Sequence, residues 1–367
     1  MKVPFLDLAA AYAELQPELE ASILTSLHSG WYIGGQDVET FEQAFAAYTG
    51  TRHCYGVANG LEALHLALRA MDIGAGDEVI VPANTFIATW LAVSQCGATP
   101  IPVEPAKATY NIDAGRIEAV ITPRTKAIIP VHLYGQPADI DPILETARKY
   151  GLRVLEDAAQ AHGARYKGRR IGGHSDAVAW SFYPGKNLGA LGDAGAVTTN
   201  NLEIADRLRV LRNYGSRVKY VHEIQGYNSR LDPVQAVSLQ VKLKVLDAWN
   251  ARRTAIAARY TAELADSGLL LPTVPDWAVP VWHLYVVQHP KRNALQAALQ
   301  EGGIGTLIHY PIPPHLQPAY KGLGYSEGHF PISESMANQL LSLPIGPQLD
   351  EASVTFVIRA VNAAAQV

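Results

Sequence analysis

The sequence predicts an α/β fold built on a mostly parallel sheet, because short apolar runs alternate with helical patterns through its first half. Residues 53–58 and 78–82 have the length and apolar composition of buried strands. Between them, residues 61–71 repeat leucine or methionine at the spacing of one helix face. Strands that alternate with helices in this way are typical of parallel sheets with helical crossovers.

The same alternation continues as far as residue 199. The further predicted strands are 99–104, 126–132, 152–157, 176–183 and 195–199, and the further predicted helices are 86–96 and 139–150. We expect the last two of these strands to form a hairpin at the end of the sheet. Open α/β sheets hold their ligands at the carboxyl ends of the strands, so functional residues are expected there.

The second half predicts a smaller, separate unit. It begins with long helical patterns at 202–213 and 235–264. A strand at 283–288 and helices at 293–301 and 333–341 follow. We therefore predict a large domain at 1–245 and a smaller α+β domain at 246–367, and we expect residues 5–48 to fold back onto the smaller one. A length of 367 residues accommodates two domains at about 150 residues each.

Composition and charge exclude several classes of protein. The chain has 30 Lys and Arg against 34 Asp and Glu, a net charge of −4, whereas nucleic-acid binders concentrate a basic excess. No apolar run approaches the ~18 residues of a membrane span, and Asp7 and Glu14 interrupt the segment where a signal peptide would be apolar. Cys54 and Cys96 do not have zinc-ligand spacing. We expect a cytoplasmic protein without nucleic-acid, membrane or metal partners.

Common catalytic signatures are missing from the sequence. No GxGxxG follows a strand, which argues against a nicotinamide-dependent sugar oxidoreductase. The signatures of P-loop nucleotide hydrolases, zinc proteases of the HExxH type and α/β-hydrolases are also absent. Any catalytic residues of this chain must therefore belong to a different kind of site.

The most informative stretch is 152–196, where two predicted strands end in polar residues. Asp157 ends the first strand, and Lys186 follows the second in a turn flanked by glycines. Glycine permits tight turns and the close approach of a flat ligand. Pyridoxal phosphate needs a lysine for covalent attachment and a carboxylate that keeps its pyridine nitrogen protonated. Its phosphate needs a helix N-terminus, which the segment at Asn59 and Gly60 supplies.

Nine motifs in a fixed order give the chain a specific resemblance. They are VPFLDL (3–8), GWYIGG (30–35), ANGLEAL (58–64), PANTFIAT (82–89), HLYGQPAD (132–139), EDAAQAHGA (156–164), SFYPGKNLGALGDAGA (181–196), GYNSRLD (226–232) and HYPIPPHLQPAY (309–320). Together they resemble the DegT/DnrJ/EryC1/StrS sugar aminotransferases. That family has the aspartate-aminotransferase-like fold of type I pyridoxal-phosphate enzymes, with a large and a small domain.

The resemblance implies roles for the residues that would hold the cofactor. Lys186 would be the Schiff-base lysine, Asp157 would pair with the pyridine nitrogen, and Gln160 would contact the ring-hydroxyl face. Phe86 would stack on the ring. The phosphate would be held by Ser181, by the backbone of Gly60 and Leu61, and by Asn228 of a neighbouring subunit. The resemblance therefore implies a homodimer with shared active sites.

It also implies the reaction and the substrate contacts. Tyr183, His309 and Tyr310 would line a sugar pocket, and Lys219 would contact the nucleotide pyrophosphate. The amino group would pass from L-glutamate, through the pyridoxamine phosphate form, to a nucleotide-linked keto-6-deoxyhexose. Leu61 stands where many relatives have threonine, and this variant resembles enzymes that aminate dTDP-linked 3-keto sugars.

Three alternatives remain at this point. The substrate could be a 4-keto sugar nucleotide, or the chain could be a non-catalytic regulator with the same fold. A pyridoxal-phosphate sugar dehydratase is disfavoured, because that relative carries histidine where this chain has Lys186.

Overall fold

A seven-stranded sheet forms the centre of the computed structural model, which describes residues 1–365. The strands of the first half are β1 (His53–Val57), β2 (Glu78–Pro82), β3 (Thr99–Val103), β4 (Thr125–Ile128), β5 (Arg153–Asp157), β6 (Arg165–Tyr166), β7 (Arg169–Arg170), β8 (Ala177–Ser181) and β9 (Gly195–Thr199). All of them except β6 and β7 belong to the central sheet, in the order β1-β9-β8-β5-β4-β2-β3. The predicted α/β architecture is confirmed.

Strand direction places most carboxyl ends at one edge of the sheet. The five strands β3, β2, β4, β5 and β8 are parallel, and β9 runs antiparallel to both β8 and β1. Strands β8 and β9 pair antiparallel, as the prediction of a hairpin requires, but their predicted position at the end of the sheet was wrong, because β1 covers the outer side of β9. As a result, β1 also points its carboxyl end to the edge where the parallel strands end.

Helices cover both faces of this sheet. They are α1 (Leu8–His28), α2 (Gln36–Thr49), α3 (Gly60–Ala70), α4 (Ile87–Gln95), α5 (Ile140–Tyr150), α6 (Leu202–Leu211), α7 (Pro233–Glu263), α8 (Arg292–Glu301), α9 (Pro331–Gln339) and α10 (Glu351–Ala364). Strand β8 shows why two layers form. Ala177 and Ala179 face a core with α3, α4 and α6, whereas Val178 and Trp180 face a core with α2 and α7. Alternate residues of a strand point to opposite faces, so both faces need cover.

A separate core forms in the last third of the chain. The remaining strands are β10 (Ser216–Val218), β11 (Val221–His222), β12 (Ala278–Val279), β13 (Tyr285–Gln288) and β14 (Leu340–Leu343). Strands β13 and β14 pair antiparallel and pack with α8, α10 and the end of α7. The expectation of a helix through residue 341 was wrong at its end, because Leu340 begins β14.

Helix α7 joins the two cores. Leu239 and Leu246 pack in the core around Trp180, whereas Ile256 and Tyr260 pack in the C-terminal core. A boundary at residue 245 therefore falls inside one continuous helix. The division into domains at that residue stays a prediction.

The N-terminal segment contacts both parts of the molecule. Val3 forms a parallel bridge with Ile304 and lies in the C-terminal core. Helix α1 packs along α7, where Leu19 contacts a small cluster that includes Trp249. Helix α2 instead packs against the central sheet through Phe41 and Phe45. Only part of residues 5–48 therefore lies against the C-terminal part of the chain.

Within residues 1–365, no helix is both long enough and apolar enough to span a membrane. The cytoplasmic location inferred from the sequence stays a prediction.

Phe45 offers a test of the packing between α2 and the sheet. Its ring is fully buried and meets Trp180 and Phe182 edge-on, with ring centroids 5.1 and 5.2 Å apart. Phe45→Ala should lower the free energy of unfolding by about 3–5 kcal/mol, because it removes these contacts and leaves a cavity. Urea unfolding followed by circular dichroism measures the change. Leu202→Ala, at a side chain 71% exposed, is the control and should change it by less than about 0.5 kcal/mol. Equal shifts in the two variants would contradict the packing described.

Candidate active site

The predicted cofactor residues converge at the carboxyl edge of the sheet. Asp157 ends β5 and Ser181 ends β8. Gly60 begins α3 directly after β1, and Phe86 precedes α4 after β2. Lys186 lies in the turn that follows β8. Four strand ends therefore bring together residues that are far apart in the sequence.

Asp157 is a buried carboxylate with two hydrogen bonds. Its Oδ2 accepts from the Thr89 hydroxyl at 2.9 Å, and its Oδ1 accepts from the Ala159 N–H at 3.1 Å. Burial raises the pKa of Asp157 above its ordinary value, although both hydrogen bonds and the charge of Lys186 act in the opposite direction. Thr89 is a partner that sequence reasoning missed. Its signals were its place at the end of the PANTFIAT motif and its polarity within a largely apolar helix.

Lys186 carries an amine with an unusually low pKa. Its backbone N–H donates to the Tyr183 carbonyl at 2.8 Å, which closes the turn after β8. Removal of water from the ammonium lowers the pKa of Lys186 to about 8, and the nearby Asp157 carboxylate offsets part of that effect. A larger fraction of this amine is therefore neutral near pH 8 than in an ordinary lysine.

The histidines around Lys186 are held neutral. Burial, and to a lesser degree the charge of Lys186, lowers the pKa of His162 to about 3 and that of His309 to about 4. The same two effects, burial first, hold the pKa of His283 well below its usual range. Because these rings are neutral, the main electrostatic interaction of this pocket is the one between Lys186 and Asp157.

Gln160 connects the sheet edge to the long loop after residue 308. Its Oε1 accepts from the Tyr134 N–H at 2.6 Å, and its Nε2 donates to the Tyr310 hydroxyl at 3.1 Å. The Tyr134 hydroxyl in turn donates to the His309 carbonyl. The His309 ring nitrogen Nδ1 lies 2.8 Å from the Ser342 hydroxyl. These bonds hold His309 and Tyr310 beside Gln160.

Tyr134 adopts backbone angles that few side chains adopt. Its φ is +61°, in the left-handed region that disfavours residues with a Cβ. In this conformation its N–H donates to Gln160 and its hydroxyl donates to the His309 carbonyl. Sequence reasoning missed Tyr134, although it lies in the HLYGQPAD motif.

Two aromatic rings form one wall of the site. The Phe86 and Tyr310 ring centroids lie 5.2 Å apart with an interplanar angle of 37°. Phe86 is 52% exposed, so a face of its ring remains open to a ligand. Burial raises the pKa of the Tyr310 hydroxyl, which therefore stays protonated.

The N-terminus of α3 lies directly against β8. A Cβ on Gly60 would lie 2.5 Å from the Ser181 Cβ, so only glycine allows this approach. The Asn59 side chain caps α3 by accepting from the Glu62 N–H at 2.9 Å. The N–H groups of Gly60 and Leu61 have no acceptor within the helix, because no preceding helical turn supplies carbonyl groups to the first turn. Together with the Ser181 hydroxyl they form a site suited to an anion.

A second buried pair supports the end of β5. The His132 Nδ1 accepts from the Ala138 N–H at 3.0 Å, so its Nε2 carries the proton that it donates to Glu156 at 2.9 Å. The Ser175 hydroxyl donates to the other Glu156 oxygen at 2.7 Å. Burial acts to raise the pKa of Glu156, but the hydrogen bonds from His132 and Ser175 hold it below its ordinary value. Glu156 thus anchors the strand that presents its neighbour Asp157.

Three predicted ligand residues are exposed rather than buried. Tyr183 is 59% exposed. Lys219 lies in the turn between β10 and β11, and Asn228 is exposed after β11. Within residues 1–365, neither Lys219 nor Asn228 hydrogen bonds to the residues around Lys186. Their predicted roles stay predictions.

Comparison with known proteins decides the family. The family model for the DegT/DnrJ/EryC1/StrS aminotransferase family matches residues 14–362. The chain belongs to this family. It is therefore an aminotransferase, as its motifs predicted.

Three curated relatives cover nearly the whole chain. The dTDP-3-amino-3,4,6-trideoxy-alpha-D-glucose transaminase of Streptomyces venezuelae is 56% identical over 363 residues, 98% of this chain and 96% of its own. The dTDP-3-amino-3,6-dideoxy-alpha-D-galactopyranose transaminase of Aneurinibacillus thermoaerophilus is 54% identical, covering 98% and 99%. The erythromycin biosynthesis sensory transduction protein EryC1 of Saccharopolyspora erythraea is also 54% identical and covers 100% of both chains.

Solved structures confirm the predicted aminotransferase fold. The crystal structure of S. venezuelae DesV in complex with a ketimine intermediate superposes with a TM-score of 0.98 at 55% identity, covering 100% of this chain and 99% of DesV. The structure of Bacillus subtilis NtdA with bound cofactor PMP gives a TM-score of 0.93 at 32% identity, covering 100% and 86%.

Proposed function

We propose that the protein transfers the amino group of L-glutamate to the 3-keto carbon of a dTDP-linked keto-6-deoxyhexose, with pyridoxal phosphate as cofactor. The observation that carries the proposal is the pair formed by Lys186, with its lowered pKa, and the buried Asp157 at the carboxyl edge of the sheet. The names of two relatives at 54–56% identity contain both dTDP and a 3-amino group, which supports a dTDP-linked 3-keto sugar as the substrate.

The residues of the site fit the cofactor. The missing Cβ at Gly60 and the free N–H groups of α3 suit its phosphate. The Asp157 carboxylate suits a protonated pyridine nitrogen, and the open face of Phe86 suits a stacked ring. Lys186 supplies an amine with a lowered pKa. The similar structure with bound PMP is consistent with this donor set.

When bound, pyridoxal phosphate supplies an aldehyde that takes up amines and a ring that withdraws electrons from the reacting carbon. Lys186 would hold the cofactor and, once released, use its Nζ to remove a proton from the donor Cα. Asp157 would keep the positive charge on the ring nitrogen, because a nearby carboxylate favours the protonated form. Glutamate leaves as 2-oxoglutarate, and the amino group then replaces the keto oxygen of the sugar in the second half-reaction.

The loop residues would select the sugar nucleotide. Tyr183, His309 and Tyr310 would contact the sugar, and Lys219 would contact the pyrophosphate. The bonds from Gln160 and Tyr134 support this role, because they hold the 309–310 segment against the cofactor residues. The low pKa of His309 means that it would act as a neutral hydrogen-bonding ring.

We further propose that the protein acts as a homodimer, with Asn228 and Lys219 completing the partner's site. Both residues lie in or near the β10–β11 hairpin. That region exposes several large apolar side chains, which are Tyr214, Val218, Tyr220, Val221 and Ile224. Clustered exposed apolar groups are typical of protein interfaces.

One alternative has a specific observation in its favour. A relative at 54% identity is named a sensory transduction protein, which favours a regulatory role on the same fold. Against it, Lys186, Asp157 and the Gly60 anion site all lie at one edge of the sheet, which supports a catalytic role. A 4-keto substrate is the remaining catalytic alternative.

Absorbance spectroscopy tests the catalytic proposal. Addition of L-glutamate to the cofactor-loaded protein should abolish its yellow band, and a dTDP-3-keto-6-deoxyhexose should restore it. Lys186→Ala should slow turnover by at least about 100- to 10,000-fold, the usual contribution of an acid–base group. Lys244→Ala, an exposed lysine that pairs with Glu18, is the matched control and should be unaffected. If only a 4-keto sugar nucleotide restores the yellow band, the substrate is a 4-keto sugar and not a 3-keto sugar. A protein that takes up no cofactor would support the regulatory role.

The pH dependence of cofactor attachment tests the pKa of Lys186. Only the neutral amine attacks the aldehyde, so attachment to cofactor-free protein should accelerate through about pH 8. An ordinary lysine would show the rise near pH 10.4. Because the Asp157 charge raises the pKa of Lys186, Asp157→Asn should move the midpoint below that of the wild type. A wild-type midpoint near pH 10, or an upward shift in the variant, would argue against the assigned pair.

Subunit mixing tests the shared site. Lys186→Ala and Asn228→Asp homodimers should each be inactive, the second because an added carboxylate repels the cofactor phosphate. Co-expression should restore about a quarter of the wild-type sites, since half of the dimers are mixed and each has one intact site. Activity is measured on the purified mixture. No recovery from a mixture shown to contain mixed dimers would mean that Asn228 serves its own subunit.

A further inference from the structure

A cavity of about 240 Å³ lies beside the turn that carries Lys186. We call it the α7 cavity. Its walls are the start of α1, residues 184–191, the middle of α7 and residues 347–348. It is separate from the anion site at the N-terminus of α3, which none of these segments forms.

Two cations of α7 line the α7 cavity. Lys242 is 8% exposed and Arg253 is 3% exposed. Lys242 Nζ donates to the Gly189 carbonyl at 2.7 Å, and Arg253 Nη1 donates to the Ile345 carbonyl at 3.0 Å. Within residues 1–365 neither side chain forms an ion pair, and the Nε and Nη2 of Arg253 have no hydrogen-bond partner.

Unpaired cations in a buried position are unfavourable. Burial lowers the pKa of Lys242 to about 8 and that of Arg253 to about 10. Both groups therefore remain mostly protonated at pH 7. A buried charge needs a partner of opposite sign to offset its lost hydration. The cavity thus has the electrostatics of a site for an anion.

The acidic residue in the cavity wall does not neutralise these cations. Asp7 lines the cavity, but its Oδ1 accepts from the Ala10 N–H at 2.9 Å as the N-cap of α1. Within the part of the chain that the structure describes, Asp7 forms no ion pair with Lys242 or Arg253. The donors on α7 therefore stay available to a ligand.

The α7 cavity adjoins the reactive lysine. Lys186 and Asn187 both line it. The Asn187 Oδ1 lies 3.1 Å from the His283 Nδ1, and Arg253 Nη1 donates to the His283 carbonyl at 3.4 Å. A ligand held by Arg253 would therefore lie beside the turn that presents the Lys186 amine.

We propose that the α7 cavity binds the carboxylate of the amino-acid donor, with Lys242 and Arg253 as its cationic contacts. This inference rests on the proposed function, because it takes the donor to be a dicarboxylate amino acid. An arginine with free donors forms strong, often bidentate, bonds to carboxylates. The cavity is smaller than the roughly 300–1,000 Å³ of pockets for larger ligands, which favours an amino acid over a sugar nucleotide.

Calorimetric binding of glutarate to the cofactor-loaded protein tests the proposal. Glutarate has the two carboxylates of glutamate but neither an amino nor a keto group, so it binds without reacting. Lys242→Gln removes the charge but keeps a polar side chain of similar length, and it should weaken glutarate binding about tenfold or more. Lys244→Gln, two residues along the same helix, is the matched control and should bind like the wild type. Lys242→Arg should restore most of the affinity.

Kinetics provide a second measurement. Lys242→Gln should raise KM for L-glutamate about tenfold while the half-reaction with the sugar nucleotide is unchanged. Unchanged glutarate binding in Lys242→Gln would overturn the proposal, as would displacement of glutarate by dTDP but not by glutamate. A wild type that binds glutarate through Lys242 but never transaminates would contradict the proposed function and leave the carboxylate site established. If Lys242→Gln fails to fold, Arg253→Lys tests the same cavity in the glutarate titration.

Discussion

The burial of Asp157 beside the Lys186 amine is the constraint on which the site depends. Each group is costly to ionise away from water, and each makes ionisation of the other easier. The surrounding elements serve this pair. Helix α4 contributes the Thr89 hydroxyl, and β5 is held by the His132–Glu156 hydrogen bond. A parallel sheet makes this possible, because it brings several strand ends to one edge.

The sheet also brings helix, strand and loop so close together at some points that a side chain does not fit between them. Gly60 touches Ser181 so closely that any Cβ would displace it. Tyr134 keeps a left-handed backbone while bonded at both ends, to Gln160 and to His309. A strained backbone conformation persists where the surrounding hydrogen bonds and packing hold it in place. Such conformations cluster at functional sites. The geometry of the site is therefore preorganised before a ligand binds.

Helix α7 connects the central sheet, whose carboxyl edge carries the site, to the C-terminal core. One end packs under the central sheet and the other in the C-terminal core, so the two parts share a rigid element. Its middle presents Lys242 and Arg253 to the α7 cavity. A long helix between two cores can place charges behind a reactive lysine without using a flexible loop. The family includes relatives named for catalysis and a relative named for sensory transduction, and the Lys186–Asp157 pair is consistent with a catalytic role for this chain.

The sequence by itself determined the alternation of strands and helices, the family, and the positions of Lys186 and Asp157, because these depend on short-range pattern and local motifs. It did not reveal that Thr89 bonds Asp157, since 68 residues separate them. Nor did it show that residues 340–343 form a strand, because a short apolar run is ambiguous until a partner such as β13 pairs with it. The continuity of α7 across the predicted boundary, and the pairing of β1 with β9, were likewise decided by tertiary packing. Hydrogen-bond partners, burial and pKa are properties of neighbours in space, which only the folded chain brings together.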